Sequence, residues 1–375
     1  MQFKILNGFL MMKNRNFFIS LSFLICLLWG ATTPAFAETE NEEQYNAGET
    51  IIEHILDSYD WHIFTWKGHH VSVPLPIIVF NEGKCYTFSS KEFHHNNTYV
   101  TVNKTNSENI TFAIPHEGKY KGKVVILNAD GTQKRPFDIS ITKNVCGLFI
   151  SCTILVVLFL LVAKAYRKRG VKAPKGLQSL FEWLICYVRD DIALKAIDKK
   201  HVDRYLPYLI TVFFFIFFNN LLGLIPFFPF GANLTGNIAI TATLAVLTFL
   251  ITNLFGNKEY YKDIVNTPGV PWFLKLPIPL MPLIETVGCF TKPVVLAIRL
   301  FANITAGHIV VLGFISSIFI VAQISVGGGI GMSVFSLILV IFVDAIELLV
   351  AYIQAYVFTL LSALYFGMAS KEHHH

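Results

Sequence analysis

Long apolar stretches fill the chain from residue 145 onward, whereas the hundred residues before them are mostly polar. The run Val145–Ala163 is uncharged and long enough to cross a bilayer as one helix. Residues 205–257 also carry no charge, but they are too many for one upright span. Prolines and glycines between residues 226 and 236 interrupt this run, so we predict two spanning helices there.

Two further apolar stretches, Pro277–Gln323 and Met332–Ala369, complete the chain, and the glycine-rich segment 327–331 is predicted to form the turn between them. Each stretch exceeds an upright span, so we expect a long, steeply tilted helical hairpin. The apolar stretches together predict an all-α membrane protein of about five transmembrane spans. Residues 177–204 mix apolar and charged positions, which suits an amphipathic segment on the membrane surface.

The first 37 residues have the pattern of a secretory signal peptide. Lys13 and Arg15 precede an apolar run, Phe17–Ala31, and Ala35-Phe36-Ala37 provides a small-x-small cleavage site. An uncleaved anchor helix is the alternative interpretation of the same pattern. A cleaved signal implies that the sequence after it is exported.

Residues 38–142 are predicted to form a small, soluble, β-rich exported domain, because short β-prone runs alternate there with turn signals. The predicted elements are an initial helix at 47–59 and strands at 76–80, 97–102, 123–127 and 137–142. Seven histidines fall in this region, but no spacing among them matches a recognised metal site. Surface or packing roles are therefore favoured over metal binding, and we predict no metal and no cofactor.

Composition and charge place the chain in the membrane class. Hydrophobic residues make up 54% of it and charged residues 15%. The net charge of +5 does not indicate a nucleic-acid partner, because the basic residues fall at the ends of apolar spans. The absence of a Walker-type loop from the sequence excludes an ATPase acting alone.

Six basic residues directly follow the first apolar stretch and determine the predicted orientation: Lys164, Arg167, Lys168, Arg169, Lys172 and Lys175. By the positive-inside rule this cluster is cytoplasmic. The N-terminal domain is then periplasmic and the C-terminus cytoplasmic, in a multi-pass protein of the bacterial plasma membrane.

Arg299 is a fixed positive charge within the apolar segment 291–311. A guanidinium stays protonated, so holding it in hydrocarbon costs several kcal/mol unless something opposes the charge. Asn303 lies about one turn on, on the same helical face, and His308 lies on the opposite face. The alternative is snorkelling, since Lys292 is only about 10 Å away along a helix and could mark the membrane surface.

These residues carry a resemblance to a known family. Two blocks resemble subunit a of F-type ATP synthases. The first contains Lys292-Pro293, Arg299-Leu300, Asn303 and Ala306-Gly307-His308, and the second runs from Glu347 to Gln354 and onward through AYVFTLLSALYFGMA. The resemblance covers about residues 145–370. It implies a non-catalytic membrane subunit with two proton half-channels and an essential arginine, which couple proton translocation to c-ring rotation and ATP synthesis.

The resemblance also implies roles for individual residues. His308 and Glu347 would share one half-channel, and Glu285 resembles the acid of that access path. Gln354 lies seven residues after Glu347, on the same face. Three amides, Asn219, Asn220 and Asn237, either line an aqueous path or link helices by hydrogen bonds. Asp344 has no role that the resemblance assigns.

The implied domain organisation is a signal peptide at 1–37, an exported domain at 38–142, a transmembrane proton-channel domain at 143–370 and a tail at 371–375. The implied partners are the c-ring subunits, the subunit b stator, the F1 head, protons and the lipid bilayer. The rival hypothesis is a secondary transporter or channel with an exported sensing domain. That design requires an internal repeat with interrupted helices, and the sequence contains none that we recognise.

Overall fold

The computed structural model describes residues 47–66, 69–93, 98–102, 109–115, 118–128, 131–169, 173–225, 230–265 and 280–371. The predicted signal peptide, the interrupting prolines Pro226 and Pro229, and all but the first residue of the predicted tail lie outside the described residues.

The N-terminal part consists of one helix and nine described strands, which we call the strand region. The helix is α1 (Ala47–Ile55). The strands are β1 (Asp60–Trp66), β2 (His69–Pro74), β3 (Pro76–Asn81), β4 (Lys84–Ser89), β5 (Thr98–Val102), β6 (Asn109–Ala113), β7 (Val125–Leu127), β8 (Gln133–Lys134) and β9 (Phe137–Asp138). They form three antiparallel sheets, ordered β1-β2, β4-β3-β9 and β5-β6-β7-β8.

The core of the strand region contains side chains of β3, which alternate between buried and exposed positions. Ile77 and Val79 point into a core with Phe88, Phe112 and Ile126, as the alternation of apolar side chains along a strand requires. Each of the four predicted strands overlaps an observed one, but β1, β2, β4, β6 and β8 were not predicted. The predicted helix is too long, because the backbone turns into β1 at Asp60.

Eight helices are described in all, and those after α1 form the apolar part. They are α2 (Lys143–Arg169), α3 (Leu177–Tyr187), α4 (Lys199–Gly223), α5 (Ile238–Leu254), α6 (Lys258–Val265), α7 (Leu280–Ile324) and α8 (Val326–Ser370). Helix α3 continues through a π-helical turn, Val188–Ala193, and a short turn, Leu194–Ala196. By length and composition α2, α4, α7 and α8 can each cross a membrane, and α5 with α6 adds a fifth candidate bent by 106°.

Two boundaries differ from the prediction. Helix α4 begins at Lys199, within the segment expected to lie on the membrane surface. The turn of the hairpin consists of Ser325 alone, in an extended conformation, and Gly327–Gly331 are the first turns of α8. The Ser325 hydroxyl accepts a hydrogen bond from the Gly328 amide, so an N-cap starts the helix earlier than the glycines alone suggest.

The hairpin of α7 and α8 packs tightly at its turn and along its length. A β-carbon added at Gly329 would lie 2.8 Å from the Ala322 β-carbon and 2.9 Å from its α-carbon. At the other end, the Lys292 ammonium lies 5.7 Å from the centre of the Tyr365 ring. On its inner side, α8 packs against α4 in a core that includes Leu209, Phe213, Phe358 and Phe366. This packing determines which side chains of α7 and α8 meet.

The strand region is attached to the helices through specific contacts. Trp61 is 4% exposed and packs with Ala232 and Leu234, which precede α5. The Lys143 amide donates to the Ser58 carbonyl at 2.9 Å, and the Asn144 amide donates to Asp57 Oδ1 at 3.0 Å. The first turn of α2 is therefore capped by residues of the strand region.

The hairpin turn generates a stability prediction. Gly329→Ala should destabilise the protein by about 1–3 kcal/mol, because the new methyl group would overlap the Ala322 backbone. Gly331→Ala is the matched control, since nothing lies within 4 Å of its added β-carbon. Thermal unfolding of the detergent-solubilised variants should show a lower midpoint for Gly329→Ala only. Equal midpoints for the two variants would contradict the close packing at the turn.

Candidate functional site

Arg299 projects from the exposed side of α7. Its neighbours Leu296 and Leu300 are each 1% exposed, whereas Arg299, Val295 and Ile298 lie on the open face. Among the ion pairs of the described residues, none includes Arg299. A guanidinium on an apolar surface of a spanning helix is costly unless a partner brings a negative charge to it.

A small cavity, which we call the His308 cavity, brings together four of the predicted residues. Its volume is about 10 Å³, close to the space that one water molecule requires. The lining residues are Asn220, Leu224, Asn303, Ile304, His308, Glu347, Val350 and Ala351. Helices α4, α7 and α8 each contribute to this wall.

Glu347 reaches this cavity because residue 307 has no side chain. A β-carbon at Gly307 would lie 2.8 Å from the Glu347 carboxyl carbon and would contact Oε1 even more closely. Glu347 is 9% exposed, and its Oε1 has no hydrogen-bond partner in the described part of the chain. A buried carboxyl without partners is costly when ionised, so a proton or a water molecule has to satisfy it.

His308 of α7 faces α4, and Asn220 lines the cavity from α4 itself. His308 Nε2 lies 3.9 Å from the position of a β-carbon at Gly223. Asn220 Nδ2 donates to the Ala351 carbonyl at 3.2 Å, and its Oδ1 accepts from the Thr235 hydroxyl at 2.6 Å. Asn220 thus lines the cavity and also links α4 to α8 by a hydrogen bond.

The other two amides lie elsewhere. Asn219 donates to the Phe215 carbonyl of its own helix at 2.6 Å and does not line the His308 cavity. Asn237 caps α5, because its side chain accepts from the Ala239 amide at 3.0 Å. It lines a different pocket, between the helices and the strand region.

A second polar cavity lies on the other side of Arg299, and we call it the Cys289 cavity. Its volume is about 20 Å³. Its lining includes Thr248, Thr252, Asn253, Tyr260, Cys289, Lys292 and Tyr365. The sequence interpretation missed the α5 residues of this group. Their signal was a set of buried threonines at positions 241, 248 and 252, which lie on one face of α5.

Arg299 therefore lies between two cavities along one continuous helix. Cys289 and Lys292 precede it, and Asn303 and His308 follow it. At 1.5 Å per residue, Cys289 and His308 are about 28 Å apart along α7.

The sequence interpretation assigned Glu285 to the path of His308. Glu285 is half-buried near the start of α7, about 35 Å along the helix from His308, and it does not line the His308 cavity. It lies one turn before Cys289, which lines the Cys289 cavity. Gln354 is buried on α8 and lines neither cavity, and Asp344 is exposed one turn before Glu347.

Comparisons with known proteins cover this site. The family model described as "ATP synthase A chain" matches residues 146–367, and one described as "Domain of unknown function (DUF8433)" matches residues 50–140. ATP synthase subunit a of Chlorobium phaeobacteroides is 42% identical over 247 residues, which are 64% of this chain and 68% of that protein.

Two other relatives agree. ATP synthase subunit a 2 of Chlorobium luteolum is 42% identical over 280 residues, which are 68% of this chain and 78% of that protein. ATP synthase subunit a of Anaeromyxobacter sp. is 39% identical over 249 residues, which are 64% and 56% of the two chains. The family match includes Arg299, the lining of the His308 cavity and all of the Cys289 cavity lining except Met368, and it extends over more than half of the 375 residues. The chain belongs to the ATP synthase A chain family.

Proposed function

We propose that this membrane subunit conducts protons through two half-channels separated by Arg299, and so couples proton flow to rotation of a c-ring and to ATP synthesis. The observation that supports this most directly is the pair of polar cavities on opposite sides of Arg299 along α7. The rival hypothesis of a secondary transporter or channel has no support, since the family is that of ATP synthase A chains.

The charge of Arg299 determines the proposed mechanism. A ring carboxyl facing lipid is neutral, because an ionised carboxylate is costly in hydrocarbon. Opposite Arg299 the ionised form is stabilised, so the carboxyl releases its proton there before it takes another. The guanidinium itself does not deprotonate, and it therefore blocks a direct leak from one cavity to the other. Each proton that crosses 100 mV supplies about 2.3 kcal/mol.

The His308 cavity is the proposed half-channel on one side. His308 and Glu347 are its titratable residues, and they exchange a proton through the water that the cavity admits. Asn303 and Asn220 provide polar atoms along the same wall. Gln354 is proposed to act at the level of Arg299, because it lies two turns beyond Glu347 on α8.

The Cys289 cavity is the proposed second half-channel, with Glu285 as its acid. The Asn257 amide donates to the Ala369 carbonyl at 2.8 Å, so the end of α5 and the end of α8 lie on one side. Lys258 and Lys262 mark that side as cytoplasmic by the positive-inside rule. The Cys289 cavity then faces the cytoplasm, and the His308 cavity faces the periplasm together with the strand region.

The proposed partners follow from the exposed face and from the family. The c-ring covers the surface of α7 that presents Arg299 and Asn303. Subunit b and the F1 head complete the complex, in a bacterial plasma membrane with the C-terminus in the cytoplasm.

Arg299→Ala tests the central charge. It should abolish ATP synthesis and ATP-driven proton pumping in membrane vesicles, because no neutral side chain keeps a ring carboxyl ionised. The complex should still assemble. Arg189→Ala is the control, since Arg189 is a surface residue paired with its neighbour Asp190. Coupled pumping at the wild-type rate in Arg299→Ala would exclude this mechanism.

The proposed relay predicts a non-additive result. His308→Ala and Glu347→Gln should each slow proton flux without making vesicles leaky, because Arg299 still separates the two paths. The double variant His308→Glu with Glu347→His exchanges the two groups. It should retain more flux than the summed losses of the single variants His308→Glu and Glu347→His predict, since both groups line one cavity. Proton flux in reconstituted vesicles measures this. Additive losses in the exchange would mean that the two residues do not form a relay.

The proposed orientation is testable with a native cysteine. Cys85 on β4 is exposed, so intact cells with a permeabilised outer membrane should react there with an impermeant thiol reagent. Cys85→Ser should remove that labelling. Cys186 on α3 is half-buried on the opposite side and should react only after the plasma membrane is opened. Labelling of Cys186 but not Cys85 in intact cells would invert the topology.

A further inference from the structure

A pocket of about 290 Å³ lies where the strand region meets the membrane helices, and we call it the junction pocket. Its strand-region lining comprises Asp57, Tyr59, Lys123, Asp138 and Ser140, and its helical lining includes Thr142, Asn144, Leu148, Asn237, Ala239 and Ile240. About half of its wall thus belongs to the residues that match a domain of unknown function. The pocket is much larger than either cavity beside Arg299.

The acidic groups of the junction pocket are held in place by hydrogen bonds. Asp57 Oδ1 accepts from the Asn144 amide at 3.0 Å. The Tyr59 hydroxyl donates to Asp138 Oδ2, and burial together with this carboxylate raises the pKa of Tyr59. Two carboxylates are therefore presented to the pocket at positions that the fold determines, with a tyrosine that stays protonated beside one of them.

A thin wall separates the junction pocket from the His308 cavity. Asn237 lines the pocket, and two residues before it Thr235 donates to Asn220, which lines the cavity. The position of a β-carbon at Gly223 is 3.9 Å from His308 Nε2 and 3.7 Å from the Ala232 carbonyl oxygen. The segment 232–237 thus contacts the linings of both spaces.

Lys143 brings a positive charge to the edge of the junction pocket. It lies between Thr142 and Asn144, which both line the pocket. Its amide donates to the Ser58 carbonyl at 2.9 Å, and the Asn144 amide donates to Asp57 Oδ1 at 3.0 Å, so Lys143 and Asp57 meet at the start of α2. A cation at this entrance repels an incoming proton, and a carboxylate beside that cation cancels the repulsion. Asp57 is the acid of the strand region in that position.

We propose that the junction pocket is the vestibule through which protons reach the His308 cavity, and that Asp57 keeps this entrance open by neutralising Lys143. The proposal rests on the proposed function of the His308 cavity. The strand region then has a role in proton access: its carboxylates concentrate protons at the entrance, and the negative charge of Asp57 offsets the positive charge of Lys143. Asp57 and Lys143 are positioning residues here, since neither contacts the ring carboxyl.

A purely structural role for Asp57, as the cap of α2, is the alternative, and a conservative substitution separates the two roles. Asp57→Asn keeps an oxygen that accepts from the Asn144 amide but removes the charge. If Asp57 acts through its charge, Asp57→Asn should lower proton flux through the complete complex in proteoliposomes by roughly three- to tenfold. Glu82→Gln is the matched control, because Glu82 is an exposed acid of the strand region whose partner is Lys134.

A second substitution sharpens this experiment. In the Asp57→Asn background, Lys143→Gln should restore most of the lost flux, because it removes the positive charge that Asp57 no longer offsets. A structural cap predicts no such restoration. Wild-type flux in Asp57→Asn, or no restoration by Lys143→Gln, would overturn the proposal. Arg299→Ala, measured in the same preparation, separates a failure of the vestibule proposal from a failure of the proposed function. If Arg299→Ala is inactive, only the vestibule proposal has failed; if Arg299→Ala is active, the proposed function itself has failed.

Chemical modification tests the vestibule without removing a charge. Ala239 is exposed and lines the junction pocket, so Ala239→Cys should react there with impermeant methanethiosulfonates. An attached quaternary ammonium should lower the flux of this variant several-fold relative to its own unmodified rate, and an attached sulfonate should lower it less. The wild-type chain, which reacts at exposed Cys85, should be unaffected. Equal effects of the two reagents, or no effect, would mean that protons do not pass through this pocket.

Discussion

The permanent charge of Arg299 on an apolar helical surface is the constraint on which the rest of the arrangement depends. The described residues offer it no ion pair, and its neighbours on the open face are aliphatic. Such a group is costly in hydrocarbon unless a partner supplies a negative charge, and this is why we propose that Arg299 faces the carboxyls of the c-ring. The two cavities on either side of it along α7 share no lining residue, and they are the proposed proton half-channels.

Close helix packing makes these cavities small and specific. Gly307 lets the Glu347 carboxyl lie directly against α7, and the hydrogen bond from Asn220 to Ala351 holds α4 to α8 at the same level. A cavity of this size admits about one water molecule, so the proton transfer that we propose there involves side chains and ordered water rather than bulk solution. The same packing separates the two cavities, because Leu296 and Leu300 are buried between them.

The strand region contributes directly to the arrangement of the membrane helices. Its residues cap α2, bury Trp61 against the segment before α5, and supply acidic groups to the junction pocket. These charged groups in the wall of the pocket are the reason why we propose a role in proton access for this region.

The sequence by itself determined the class of protein and the approximate spans, because hydrophobic length marks the spanning helices. It also identified Arg299, His308 and Glu347 as candidate site residues, because an ionisable group within hydrocarbon is costly unless it has a function or a partner. The sequence predicted two helix ends wrongly. Ser325 caps α8 before the glycines, and α4 includes charged residues that composition assigns to the membrane surface.

Only the tertiary structure decided which residues share a cavity. Glu285 and His308 lie on one helix and resemble parts of one path, yet about 35 Å of α7 separates them, and Glu285 lies one turn before Cys289 of the other cavity. The Cys289 cavity and the junction pocket combine residues that are more than a hundred and about a hundred and eighty positions apart in the chain. Sequence patterns report the environment along one element, whereas a cavity is made by side chains of several elements, and the distances between those elements are set by packing.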